Sequence, residues 1–426
     1  MIFSHYRLWR AALVLALLLA LALVPVTPAR AATWTVTNAN DSGPGSLRQA
    51  IADASSGDTI VFAPGLSGQT ITLSSTLTIS KDLTIDGSSL AIPVTISGNN
   101  SVRVFSVTSG TTVELKGLTI AHGNADIGGG VYNAGTLTIT DCTFSNNQAT
   151  ANDGGGGGIF NTGTGTLTVT GSLFSNNQAT STAGVGGAIL SLGPLTVTNS
   201  TFANNQVQQR GGGIYILNSS LTVTNSTFSD NQAGEGGGIY NLDSTLHLRN
   251  TILANSQGGG KDCFNDGGTL VEDTHNLIEN NAASPNNCGT PTQTGDPNLG
   301  PLQDNGGPTQ TMALGAGSPA IDNGDNAVCP ATDQRGVARP QGIGCDIGAY
   351  EYEDLIPPTV VATSLLPSYT TGPTSFTVTF NENVNDPVGN TDPDDVTNPA
   401  NYILVEAGAN GLFDTASCRN GVQADD

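Results

Sequence analysis

The chain has 426 residues, of which only 11% are charged, and its 35 acidic side chains against 13 basic ones give a formal net charge of −22 at pH 7. That balance, with lysine present only as Lys81, Lys116 and Lys261, argues against nucleic acid and anionic lipid as partners, since both are recognised through basic stripes, and it repels acidic polysaccharides. The 55 glycines, with Ser, Thr and Asn around short Val, Ile and Leu runs, agree with an extended all-β structure rich in turns.

Residues 1–31 read as a secretory signal. Arg7 and Arg10 precede an apolar run from Ala11 to Val24, and Ala29-Arg30-Ala31 offers a small-x-small cleavage site. The apolar run is short for a membrane span. No later stretch is apolar enough to cross, so the expectation is an exported chain, secreted or at the cell surface, with no membrane insertion of its mature part.

Residues 32–57 predict an amino-terminal cap. Trp34 to Thr37 alternates as a strand, and Ser46 to Ala54 is a short amphipathic helix with Leu47, Ile51 and Ala54 on one face. A stacked sheet has an open apolar end with edge strands to protect, which a helical lid does. From Thr59 the strands begin: Ile60–Phe62, Ile71–Ile79, Leu83–Ile85, Val94–Ile96, Val102–Val107, Val113–Leu115 and Leu118–Ile120.

From Gly128 to Ser256 the chain repeats itself. A glycine-led block (Gly130-Val131-Tyr132, Gly158-Ile159-Phe160, Ala188-Ile189-Leu190, Gly213-Ile214-Tyr215, Gly238-Ile239-Tyr240) precedes an alternating strand and an Asn-rich turn. The strand leucines Leu137, Leu167, Leu195, Leu221 and Leu246 are 30, 28, 26 and 25 residues apart, and Phe144, Phe174, Phe202, Phe228 and Leu253 keep the same spacing. In Leu137-Thr138-Ile139-Thr140 the aliphatic residues face in and the threonines out. One unit buries about four large apolar side chains at roughly 1.5–3 kcal/mol each, which cannot offset the roughly 1–2 kcal/mol lost in ordering each residue. Stacking makes up the difference, because each strand then pairs above and below. The predicted fold is all-β: a right-handed parallel β-helix, three strands per coil, with seven or eight coils across residues 58–290. Asn147, Asn177, Asn205 and Asn231 are expected to stack as a structural amide ladder at a corner.

Residues 291–353 are expected to complete this domain. Six cysteines in an exported chain invite pairing, and Cys263 with Cys288 and Cys329 with Cys345 are the close couples. Cys142 stands where other repeats have Ser172, Ser200 and Ser226, so it reads as a small buried thiol; Cys418 has no evident mate. Residues 354–426 follow a Pro357-Pro358 linker and alternate like strands of a β-sandwich, short enough to be an incomplete immunoglobulin-like segment. The acidic Asp392, Asp394 and Asp395 there read as a solvated turn, with calcium binding the other reading.

The repeats, pairing Gly186-Gly187-Ala188-Ile189 with Phe-x-x-Asn (Phe144 to Asn147, Phe174 to Asn177, Phe202 to Asn205, Phe228 to Asn231), resemble those of polymorphic outer-membrane proteins. That resemblance implies a surface-exposed β-helix, in several cases an adhesin. Asn40 to Ile51 is similar to the amino-terminal module of secreted bacterial β-helix proteins of the CSLREA type. Gly317 to Asp322, Asp333-Gln334-Arg335-Gly336 and Cys345 to Glu351 resemble the choice-of-anchor Q domain of bacterial surface proteins.

Two features bear on function. Lys261, Asp262, Glu272, Asp273 and His275 form the best catalytic candidate, for a polysaccharide lyase or glycoside hydrolase using paired carboxylates; the alternative is a polar cap loop tied by Cys263 and Cys288. If the aliphatic residue of each glycine-led strand points in, its neighbour points out, giving a column of Tyr132, Phe160, Leu190, Tyr215 and Tyr240. Facing solvent it would bind glycans or other surface proteins; turned inward it would only stabilise the stack. The expectation is a rigid binding rod at the cell surface, needing no cofactor and no metal, with an extracellular polysaccharide-cleaving enzyme as the alternative.

Overall fold

A computed structural model describes residues 31–353 except Asp153 and Gly260, together with two short strands, Val360–Thr363 and Val378–Phe380. The expected signal segment, Cys418 and the acidic turn at Asp392–Asp395 lie outside the described residues. The two short strands pair antiparallel, and the remainder of the expected immunoglobulin-like segment is not among the described residues.

The chain coils into three parallel sheets of 10, 9 and 8 strands, each running in chain order. One holds the leucine–threonine strands, with Leu137 opposite Leu167 and Leu167 opposite Leu195; this is the threonine sheet. A second holds Phe144, Phe174, Phe202 and Phe228 in register and continues into Leu253; this is the phenylalanine sheet. The third is built from the glycine-led strands. Ten strands at about 4.8 Å spacing make a stack about 43 Å long, so the stack is longer than the seven or eight coils read from the repeats, the irregular early turns having hidden part of it. A fourth sheet of two-residue strands runs along one corner, where Gln148, Gln178 and Gln206 are in register.

One continuous core runs from Val36 to Cys288. The alternation does what the sequence implied: in Thr136–Thr140 and Thr166–Thr170 the leucine and its aliphatic partner are buried and the threonines outward. The phenylalanines stack with centroids 4.7, 4.7 and 4.5 Å apart and rings within 8° of parallel. Beside them the buried amide ladder forms, Nδ2 of Asn147, Asn177 and Asn205 each donating to Oδ1 of the next asparagine at 3.0, 3.0 and 2.9 Å. Cys142 is a free, buried thiol, and its amide makes the rung-to-rung link, donating to Ser172 Oγ at 3.1 Å.

Two local expectations need correction. The stretch Ile71–Ile79 is two strands, Thr70–Thr72 and Leu77–Ile79, which belong to different sheets because a corner falls between them. Only Phe105–Val107 of the Val102–Val107 stretch is strand.

The amino-terminal end is closed by helix α1 (Leu47–Asp53), capped by the Ser46 hydroxyl, which accepts from the Gln49 amide. Leu47, Ala50, Ile51 and Ala54 are buried against the first coils. Asp58 ties the cap down, accepting from the Ser55 amide (2.8 Å), the Trp34 indole (2.9 Å) and the Ala32 amide (2.7 Å). Those hydrogen bonds, the Ser55 amide foremost, hold its carboxyl below the usual range. At the other end the Cys263–Cys288 disulfide forms, with Cys288 buried in the core.

Residues 291–353 add no further regular coil. They form an antiparallel hairpin, Leu299–Gln303 with Thr311–Leu314, and a series of turns that double back along the outside of the phenylalanine sheet as a strap. Leu314, Ala320 and Ile347 pack on Ile252, Ala254 and Leu277. Thr309 Oγ1 donates to Gly171 O (2.9 Å), Asn199 Nδ2 to Thr332 O (2.8 Å), Thr201 Oγ1 to Gln334 Oε1 (2.7 Å) and the Gly348 amide to Asn250 O (2.8 Å). No helix among the described residues is long and apolar enough to cross a membrane.

Candidate functional site

On the glycine-led sheet Val131, Ile159, Ile189, Ile214 and Ile239 are buried in the main core. Their neighbours therefore point to the opposite face. Tyr132, Phe160, Leu190, Tyr215 and Tyr240 align strand to strand and continue into Phe264, with centroid separations of 5.6 Å for Tyr132–Phe160, 5.4 Å for Tyr215–Tyr240 and 5.2 Å for Tyr240–Phe264. From Phe160 onward they form a cluster separate from the core.

The column points outward, yet it is not an exposed stripe. Leu190, Tyr215 and Tyr240 are only 5%, 6% and 0% exposed, because Val185, Leu192, Leu217 and Leu242 pack around them, and the glycine-rich turns run close beside the column. A Cβ on Gly211 would lie 2.8 Å from Tyr215 Cβ, and one on Gly128 3.0 Å from Phe160 Cβ, so close approach there requires glycine. The Arg210 guanidinium lies 4.9 Å from the Tyr240 ring centroid and pairs with Glu235 at 3.1 Å, while the Tyr240 hydroxyl donates to Asp266 Oδ2 at 2.7 Å. Burial, then the Asp266 carboxylate, pushes the Tyr240 phenol well above its ordinary value. Tyr132 and Phe160 remain half-buried. Arg103 lies 5.2 Å from the Tyr132 centroid and is fixed by the carbonyls of Gly128 (3.0 Å) and Ile127 (2.8 Å). The amino-acid sequence alone leaves inward and outward orientations open; the burial of Tyr215 and Tyr240 has no local signal, since it comes from neighbouring residues and rungs.

The group read from the last coil is divided between corners and sheets. Lys261 is exposed and donates to Asn280 Oδ1 at 2.8 Å. Asp262 is buried and its carboxylate accepts from the amides of Ser256 (3.0 Å) and Asn280 (2.6 Å); burial raises its pKa. Both residues lead into the glycine-led strand Cys263–Asp266. Glu272 and Asp273 stand on the threonine sheet, in register with His247 and Leu248, and His275 turns the following corner with a positive φ of 52°. Asp262 is thus a brace for two loop amides, and the Cys263–Cys288 link closes the coil it sits in. Among the described residues no group of three or more His, Cys, Asp or Glu is arranged to hold a metal ion.

A denser set of charges, missed as a unit in the sequence, lies inside the strap. Arg339 is buried and pairs with Glu351 at 2.9 Å while donating to the carbonyls of Asp346 and Gly348, both at 2.8 Å. Arg335 pairs with Asp333 at 2.8 Å and stacks on Tyr350 at 3.6 Å. The Cys329–Cys345 disulfide forms beside them. Every contact made by this set is to the strap itself or to the rod, so it reads as the strap's internal brace.

Burial, with the Glu351 carboxylate next, pushes Asp346 up to about 7. A carboxyl whose folded pKa is raised stays protonated in the folded state where the unfolded chain has lost its proton. Its contribution therefore grows as pH falls from about 7 towards the unfolded value near 4, by at most about 1.4 kcal/mol per pH unit. Thermal unfolding of the strap is expected at higher temperature at pH 5 than at pH 8, and Asp346→Asn is expected to flatten that slope; an unchanged slope in the variant would assign the effect to the overall charge instead.

Residues 83–283 match the family described as "Right handed beta helix region", a span just under half of the chain. No curated protein matches the chain. Among solved structures it is similar to jun a 1, the major allergen from cedar pollen, at 16% identity and a TM-score of 0.36 over 60% of this chain and 81% of that one. It is also similar to pectate lyase Pel9A, at 15% identity and a TM-score of 0.33 over 75% of this chain and 96% of that one. The family match falls on the coils whose register is described above, and the chain has the fold of a right-handed parallel β-helix.

Proposed function

We propose that the protein is an extracellular binding rod whose ligand face is the outer side of the glycine-led sheet, and that the ligand is a glycan. The observation that carries this reading is the half-buried pair Tyr132 and Phe160, 5.6 Å apart and tilted by 31°, with Arg103 held beside them by backbone carbonyls. Aromatic faces pack on the C–H faces of sugar rings, and a fixed guanidinium donates to hydroxyls. Tyr215 and Tyr240, covered by their neighbours, serve as the rigid backing of that pair. The resemblance of the repeats to polymorphic outer-membrane proteins, of the cap to the CSLREA type and of Gly317–Glu351 to a choice-of-anchor Q domain supports a place at the bacterial cell surface and a role in adhesion.

Glycan-array binding by the intact protein is expected to fall about tenfold when Tyr132 and Phe160 are both replaced by alanine, with the rod still folded. Incubation with a polysaccharide panel is expected to release no new reducing or unsaturated ends. Turnover abolished by substituting a carboxylate would overturn this reading in favour of a polysaccharide lyase or glycoside hydrolase.

A further inference from the structure

Where the threonine and phenylalanine sheets meet, the chain turns each time through a residue with positive φ: Gly117, Asp141, Gly171, Asn199, Asn225 and Asn250, at 44–62°. Glycine, asparagine and aspartate all suit that conformation, and Asp230 and Asp243 adopt it elsewhere in the chain; of the six residues at this corner, Asp141 alone carries a carboxylate. The strap covers this corner at Asn250, Asn225, Asn199 and Gly171. On the next rung, Asp141 instead faces a cleft of about 610 Å³. One wall is the enlarged corner loop Ser88–Pro93 and the other the strap's turn from Asp304 to Gln310. Asp141 is half-buried and accepts no hydrogen bond among the described residues; burial raises its pKa, with Lys116 the cation that opposes the shift. Asp304 lines the opposite wall. Ile92, 61% exposed, lines the cleft together with Pro93 and Pro308.

We propose that this cleft is a second binding site, for an amine-bearing sugar chain of the hexosamine class. The ammonium group sits between Asp141 and Asp304, where charge-assisted hydrogen bonds are available to a carboxylate that accepts none from the described residues. The ring faces lie against Ile92, Pro93 and Pro308, and Ser88 and Thr143 serve the hydroxyls. The volume is that of an ordinary small-molecule pocket, and the charge of −22 draws a cationic sugar towards the protein. This goes beyond the aromatic face, which lies on a different sheet, so loss of binding at either place is read with different variants.

The test is calorimetric titration of the full chain with glucosamine oligosaccharides and with their N-acetylated counterparts. The free amines are expected to bind at least about tenfold more tightly, and Asp141→Asn, which keeps the residue type of the neighbouring corners Asn199 and Asn225, is expected to lose about tenfold. Ile92→Ser, at an exposed position, is expected to weaken binding without loss of fold. Absence of binding by the unsubstituted protein, equal binding of the acetylated sugars, an Asp141→Asn variant that binds as tightly, or an oligolysine peptide of equal affinity would each overturn the proposal.

Discussion

Replacing Phe202 by alanine is expected to destabilise the coils by about 3–5 kcal/mol. Its ring is fully buried between Phe174 and Phe228, at 4.7 and 4.5 Å and within 7° of parallel to both. Truncation therefore removes two stacking partners and opens a cavity that backbone ladders on either side prevent from collapsing. Because each rung is stabilised only by the rungs above and below it, the loss falls on the middle of the stack and lowers its cooperativity. Urea unfolding of the two proteins measures the effect. Phe202→Leu is expected to cost far less, since Leu253 holds the same register two coils further on. A loss below about 1 kcal/mol for the alanine variant would show that the column adds little to the stack.

Replacing Arg339 by alanine is expected to release the strap while the rod persists. The side chain is buried, and its removal leaves the Glu351 carboxylate buried and unpaired and the carbonyls of Asp346 and Gly348 without their donor. Breaking one partner of such a pair costs about 3–5 kcal/mol. The coils have their own core, to which no residue of the strap belongs, so the damage is local. Hydrogen exchange is expected to show lost protection at the amides of Gly348 and Ala349, which bond to Asn250 O and Thr227 Oγ1, with coil amides such as that of Leu167 unaffected. Unchanged protection at Gly348 would show that the hydrophobic contact of Ile347 with Ile252 and Leu277 holds the strap alone. The double change Arg339→Met with Glu351→Leu is expected to recover much of the loss, because it removes the orphaned charge.

Of the candidate functional residues, the orientation of the aromatic column followed from strand alternation once Ile159 and Ile214 were placed inside. Its accessibility did not follow. That Gly128 lies against Phe160 depends on the neighbouring rung. Asp141 was visible only as one scattered charge; its place in a cleft depends on a strap more than 130 residues away, the distance over which Thr309 reaches Gly171.

The amino-acid sequence by itself determined the rod. Spacings of 25 to 30 residues, alternating leucine and threonine, and one asparagine per unit specify columns whose contacts lie one period apart, and such contacts repeat often enough to be read as a pattern. Only the tertiary structure decided where residues 291–353 go, which aromatic rings are covered and which acidic residues meet. Those contacts join positions such as Asn199 with Thr332 and Thr227 with Ala349, separated by 133 and 122 residues. Each occurs once, between partners of ordinary polarity, so no periodicity announces it and only the folded path of the chain brings its two halves together.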